Sequence, residues 1–393
     1  MNYDKIINKT VASIKPSGIR KFFDIVAEMP DAISLGVGEP DFVTPWEIRD
    51  AAIKSIQKGY TAYTSNRGLL SLREEIHQYL KSMFALSYDP VSEILVTIGA
   101  SEAIDLSLRT VVEYGDEVLV PEPSYVSYMP NIALVGGVAV GVKTDMQHDF
   151  KLTKEAIESC ITEKTKAIII PYPNNPTGAI MTKKELEEIL PVIKKHNLIV
   201  ISDEIYAELT YGGKHTSIAS LSGMRERTLV ISGFSKAFAM TGWRVGYLAA
   251  PKEILSAMVK IHQYTIMCAS TMSQHAAVAA LSTGRQDDYA SVREMCEKYD
   301  MRRRFLVSAF NEMGLSCFEP KGAFYAFPCV ESTGLSGDEF AEKLLKTKKV
   351  AVVPGSAFGE NTKNFVRCSY ATSMNQLVEA AQRIKEFVAE LKK

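Results

Sequence analysis

The chain has 393 residues, 46% of them hydrophobic, enough to build one large and one smaller domain with separate cores. Its 45 Lys and Arg are matched by 46 Asp and Glu, and a formal charge of −1 gives no reason to expect nucleic acid or an anionic membrane as a partner. The six cysteines (Cys160, Cys268, Cys296, Cys317, Cys329 and Cys368) form no C-x-x-C and no zinc-like cluster with the six histidines, so no metal is expected and the thiols read as free.

Free thiols, an N-terminal stretch without an apolar signal core, and the lack of any run near the ~20 apolar residues that span a bilayer predict a soluble, cytoplasmic protein. From about residue 91 to 251, short apolar runs alternate with helical patterns. The runs cover 94–98, 117–120, 138–142, 167–171, 198–202, 229–232 and 245–249. Runs with no polar alternation are strands buried on both faces, and their alternation with helices predicts an α/β fold with a large, mainly parallel, seven-stranded sheet. Residues 183–196 carry Leu186, Ile189, Leu190 and Ile193 at helical spacing behind Thr182 as N-cap, a crossover helix. After Ser291 a charged helix runs through Arg293, Glu294, Lys298, Arg302, Arg303 and Arg304, whose basic side chains read as a solvated face. A short α+β unit follows and ends in an amphipathic helix over 374–391, so a second, smaller α+β domain is expected.

The most informative segment is Ser232-Gly233-Phe234-Ser235-Lys236, running on through Thr241-Gly242-Trp243-Arg244-Val245-Gly246. A lysine beside serine and glycine is ordinarily a solvated loop residue. Here the flanks are buried-strand runs, which puts the polar turn at a strand end, where ligands of α/β sheets bind. A partly desolvated amine there has its pKa pulled toward neutrality and can condense with an aldehyde and shuttle protons. Arg244, eight positions on, offers a rigid fork for a phosphate ester. A carbonyl-trapping lysine with a phosphate clamp suggests pyridoxal 5′-phosphate.

Two other places fit that cofactor. Asp203 ends the run 198–202, and a carboxylate at that strand end would keep a pyridine nitrogen protonated, as an electron-sink cofactor requires. At ~4 Å and an effective dielectric near 20 such a pair is worth roughly 4 kcal/mol. Gly99-Ala100-Ser101-Glu102 opens a helix directly after a strand, which aims backbone N–H groups at an anion; Ser101 read simply as an N-cap is compatible with that role.

These segments, with Gly36-Val37-Gly38-Glu39-Pro40-Asp41-Phe42, residues 60–68, residues 121–125, Asn175-Pro176-Thr177-Gly178, Asp203-Glu204-Ile205-Tyr206 and Phe365-Val366-Arg367, resemble in order and spacing the motifs of the class I/II aminotransferases, fold-type I pyridoxal-phosphate enzymes. The resemblance extends along nearly the whole chain. It implies that residues 1–44 complete the small domain, giving a large cofactor-binding domain over 45–290 and a small one from 1–44 plus 291–393. It implies further that Lys236, Asp203 and Tyr206 are catalytic. Gly99, Ala100, Ser101, Glu102, Tyr125, Asn175, Ser235, Arg244 and Tyr63 would bind the cofactor with them, Tyr125 by stacking and Tyr63 from the neighbouring subunit of a homodimer. Gly38, Tyr125, Asn175 and Arg367 would bind the substrate, Arg367 gripping its α-carboxylate. The sequence departs from one family pattern: Gly233 stands where a serine is expected three residues before the lysine, leaving Ser232 or Ser235 to supply the hydroxyl.

The reading is a ping-pong aminotransferase passing the amino group of an L-amino acid to a 2-oxo acid such as 2-oxoglutarate. Residues 17–24 and 33–36 are similar to the aspartate/aromatic branch, and a pocket bordered by Ile19, Tyr125 and Tyr128 would favour aromatic donors over aspartate. Arg20, Arg67 and Arg109 are conceivable readers of a distal carboxylate, with no motif to support any of them. A carbon–sulfur lyase or cyclopropane-carboxylate synthase would share every cofactor residue. A cofactor-sensing regulator would need a DNA-binding domain, for which the residues before Gly36 leave little room. A nicotinamide-dependent oxidoreductase would need G-x-G-x-x-G, and Gly36-Val37-Gly38 continues as Glu39-Pro40-Asp41.

Overall fold

A computed structural model describes residues 1, 3–16, 18, 29 and 31–391. Its centre is a seven-stranded sheet built from β2 (Ile94–Thr97), β3 (Glu117–Glu122), β4 (Val138–Lys143), β5 (Thr165–Ile170), β6 (Ile199–Asp203), β7 (Thr228–Gly233) and β8 (Gly246–Ala249), within one or two residues of the seven runs read from the sequence. The order is β2-β8-β7-β6-β5-β3-β4. Every neighbouring pair is parallel except those of β8, which runs antiparallel to both β2 and β7.

Strands β2, β7 and β8 are buried along their whole length because helices cover both faces. The pleat sends alternate residues of β5 into different cores. Ala167 and Ile169 join Leu106, Leu108 and Leu255 of the helices Gly99–Val111 and Lys252–Thr265, while Ile168 and Ile170 join Leu186, Ile189 and Ile193 of the helix Lys183–Lys195. Thr182 caps that last helix in a reciprocal box with Glu185, as its position predicts.

A separate core gathers the helices Ala290–Glu312, Gly337–Lys348 and Met374–Leu391 around β9 (Tyr325–Ala326) and β12 (Val366–Ser369), the latter also paired with β11 (Val353–Pro354). Tyr299, Phe310, Phe324, Phe340, Leu377 and Phe387 fill it, and Leu35 is buried with them. Leu35 is there because β1 (Ile33–Ser34) pairs in parallel with β10 (Val350–Ala351), which draws the early chain across to the late chain. The charged helix Ala290–Glu312 spends its basic residues on carboxylates: Lys298 on Glu294, Arg303 and Arg304 on Asp300, Arg302 on Asp41. All six cysteines are unpaired.

Candidate active site

One hairpin carries both ends of the predicted site. The chain leaves the sheet at Gly233, turns through Ser235, Lys236 and Arg244, and re-enters at Gly246, opposite Gly233. A Cβ built on Gly233 would lie 2.9 Å from the Gly246 Cα, and one on Gly246 would lie 2.7 Å from the carbonyl carbon of Gly99. Backbone therefore packs on backbone, and no side chain fits at 233. Glycine replaces the expected serine for that reason. Of the two hydroxyls left open, Ser235 lines the cleft, whereas Ser232 donates to the Glu204 carbonyl at 3.3 Å.

The cleft has a volume of about 830 Å³. At one end the first turn of the helix Gly99–Val111 presents Ala100 and Ser101. Arg244, held at a φ of +50° with Nη1 donating to the Thr241 carbonyl at 3.0 Å, lays its guanidinium on Gly99 so closely that a Cβ there would stand 2.7 Å from Nη2. Helix N–H groups and a guanidinium facing one space form an anion seat. Glu102 departs from expectation. Its carboxylate turns away from the cleft, accepting the Ile98 N–H at 2.5 Å and facing His262 Nδ1 at 2.6 Å.

In the middle, Lys236 Nζ donates to the Gly38 carbonyl at 2.6 Å and lies 5.6 Å from the ring centres of Tyr206 and Phe324. Burial pulls its pKa down to about 8 against the pull of nearby Glu39, and Arg367 and Arg244 push it the same way as burial. A useful fraction of the amine is then neutral near physiological pH. Asp203, 5% exposed at the end of β6, is pushed up to about 6 by burial, opposed by hydrogen bonds from the Tyr128 hydroxyl at 2.7 Å and the Ile205 N–H at 3.2 Å. Such a carboxylate lacks a cation of its own and would gain most from a protonated ring nitrogen. The sequence reading set Tyr128 beside the substrate side chain. It does line the cleft, edge-on to Tyr125, but its hydroxyl is committed to Asp203.

At the far end Arg367 is 1% exposed. Nη1 donates to Asn175 Oδ1 at 2.9 Å, Nη2 to the Gly36 carbonyl at 2.6 Å, and the plane lies 4.4 Å from the centre of the Tyr325 ring. Its Nε is buried without a partner among the described residues. The Tyr325 hydroxyl meets that of Tyr206 at 2.8 Å, a contact the linear sequence does not announce. Gly38, Tyr125, Asn175, Asp203, Tyr206, Ser235, Lys236, Arg244 and Arg367 thus border one cleft with Ala100 and Ser101, and Gly99 lies beneath Arg244. Tyr63 is 80% exposed and does not line it. Arg67 is spent on the Ser92 carbonyl at 3.2 Å and Arg109 on Asp105 at 2.8 Å, both outside the cleft. Ile19 and Arg20 lie outside the described residues.

Residues 30–384 match the family model for aminotransferases of class I and II. The chain belongs to that family. It is 48% identical to an aspartate aminotransferase of Pyrococcus abyssi over 96% of this chain and 97% of that one. It is 45% identical to aromatic-amino-acid aminotransferase 2 of Thermococcus litoralis, with the same coverage. Among solved structures, the aromatic aminotransferase of Pyrococcus horikoshii superposes with a TM-score of 0.90 at 46% identity, covering 94% of this chain and 99% of that one. The protein is a pyridoxal-phosphate-dependent aminotransferase, and its residues fit the cofactor. The Gly99–Arg244 seat suits a phosphate, the uncompensated Asp203 suits a protonated pyridine, and the depressed amine of Lys236 suits an aldehyde. When bound, pyridoxal 5′-phosphate supplies the carbonyl that takes up an amino group and the ring that stores the electrons released at Cα.

Proposed function

We propose that this aminotransferase prefers aromatic amino donors, passes their amino group to a 2-oxo acid and works by a ping-pong cycle. The observation carrying the donor class is the charge inventory of the cleft. Lys236, Arg244 and Arg367 are its only cations among the described residues. Arg244 belongs to the phosphate and Arg367 to the α-carboxylate, so no guanidinium remains for the distal carboxylate of aspartate. A buried unpaired charge is costly, whereas an aromatic ring gains roughly 25 cal/mol per Å² of area removed from water against Val37, Ile104 and Tyr125. The relatives' names divide between aspartate and aromatic substrates and do not choose.

In this reading Arg367 and the Gly38 backbone orient the substrate, with the unpartnered Nε adding a donor to the fork. Lys236 would hold the cofactor and, as a free amine, would carry a proton on Nζ. Asp203, steadied by Tyr128, would face the ring nitrogen. Tyr206 and Asn175 would offer their hydroxyl and amide to the cofactor's phenolic oxygen, and Tyr125 would border its ring. Initial rates for tyrosine, phenylalanine and aspartate with one common 2-oxo acid acceptor test the donor class. Aspartate ahead by tenfold in kcat/KM would sink it.

The same reading makes the protein a cytoplasmic homodimer with domains of 45–290 and of 1–44 plus 291–393. The burial of Leu35 in the same core as Phe340 and Phe387 supports that division. Tyr63, outside its own cleft, is exposed, as are Tyr264 and Met267, and would serve the other subunit's phosphate. Co-expressed Lys236→Ala and Tyr63→Ala subunits should recover activity above either parent, since a mixed dimer restores one intact site. No recovery in demonstrated heterodimers removes the trans role.

A further inference from the structure

We propose that His262 is a positioning residue for the cofactor's phosphate, acting through Glu102. Glu102 lies one turn inside the helix whose start forms the phosphate seat, so a free carboxylate there would compete with the phosphate for the same N–H groups and repel it. It is not free. One oxygen accepts the Ile98 N–H at 2.5 Å, closing the turn just before Gly99, and the other faces His262 Nδ1 at 2.6 Å. The side chain of His262 is fully buried in the helix Lys252–Thr265, which packs against the seat helix.

Two features separate this pair from ordinary packing. A carboxylate only accepts, so the proton shared with Glu102 sits on Nδ1, and Nε2 is left buried with no partner among the described residues. Leaving a buried ring nitrogen unsatisfied is unfavourable, and the contact with Glu102 is what the ring offers in return. Second, Ile98 has no side chain able to cap the helix, and no hydrogen bond from its own side chain does so. Glu102 supplies the cap from within the helix, a variant of the backward arm of a capping box. The imidazole therefore holds a negative group in the one orientation that fastens the Ile98–Gly99 turn and keeps its charge off the seat.

The inference rests on the phosphate seat formed by Gly99–Ser101 and Arg244, and the test separates the two. Cofactor-free protein prepared from the holoenzyme is titrated with pyridoxal 5′-phosphate and, separately, with pyridoxal, following the bound chromophore. His262→Leu should weaken the phosphorylated ligand by roughly 5- to 30-fold, the range for a charge misplaced at a helix start, and change pyridoxal less than twofold. His262→Asn, whose amide nitrogen can replace Nδ1, should return the phosphorylated ligand to within about threefold of wild type, as should His262→Leu combined with Glu102→Gln. Equal weakening of both ligands, or of neither, overturns the proposal. If His262→Leu does not fold, Glu102→Ala decides: it removes the cap and should weaken only the phosphorylated ligand. Wild-type protein that fails to discriminate the two ligands would instead remove the phosphate seat itself.

Discussion

Two buried arginines show how this molecule separates structure from function. Arg303, 7% exposed, sits under the small core with Nε and Nη2 on Asp300 at 2.8 and 2.6 Å and Nη1 on Glu319 at 2.7 Å. Burial alone would lower its pKa, but hydrogen bonds to Glu319 and Asp300 outweigh burial and raise it. Arg367 is buried more deeply and, among the described residues, pairs with no carboxylate, only with the neutral oxygens of Asn175 and Gly36. A guanidinium kept dry beside neutral acceptors, with Nε idle, is one kept ready for an anion that comes and goes. The Lys236 and Asp203 side chains follow the same rule, each at the cost of an unfavourable pKa shift.

The comparison is most sharply tested where the imbalance is chemical. Lys236→Ala should cost at least ~10²–10⁴ in turnover, and more because the cofactor can no longer be handed from lysine to substrate, while the protein still binds pyridoxal phosphate. Near-normal single-turnover rates would break the assignment. Arg367→Lys should next lower kcat/KM by roughly 10²–10³-fold, because a point charge replaces a fork, yet leave the melting temperature unchanged. A large loss of stability would place Arg367 with Arg303 as a structural residue.

Arg303→Leu should do the reverse. It should remove about 2–3 kcal/mol of stability, less than the ~3–5 of a fully buried pair because Glu319 is mostly exposed, with kcat/KM of the folded fraction intact. The smallest effect concerns Asp203 in cofactor-free protein. Its folded pKa of about 6 lies above the 3.8 of an unperturbed aspartate, so the folded state binds more protons between those values and stability falls as pH rises through that window. Asp203→Asn should therefore raise stability above pH ~6 by about 1–2 kcal/mol and change nothing below pH ~4, while lowering turnover. Melting curves of cofactor-free protein across that range check the sign.

The sheet was legible because a strand buried on both faces is apolar through its middle, as 94–96 and 229–231 are, and several such short runs recur between helical patterns. The hairpin around Lys236 was legible because its polar turn interrupts two such strands. What sequence could not show are pairings between distant side chains that each suit an ordinary core. Tyr128 meets Asp203 from 75 positions away, Tyr206 meets Tyr325 from 119, and Glu102 meets His262 from 160. Glu102 was drawn to the phosphate by adjacency in sequence, when helix geometry turns its side chain to the opposite flank.

The pairing of β1 with β10 has a consequence for how the chain is made. Arg367 and Gly36, which it brings together, are 331 positions apart, so all the chain between them must leave the ribosome before the substrate grip can close. The central sheet, by contrast, needs nothing beyond Ala249. During synthesis the seat for the cofactor can therefore be assembled while Gly36 still waits for Arg367. The nascent protein acquires its grip on the cofactor before its grip on the substrate.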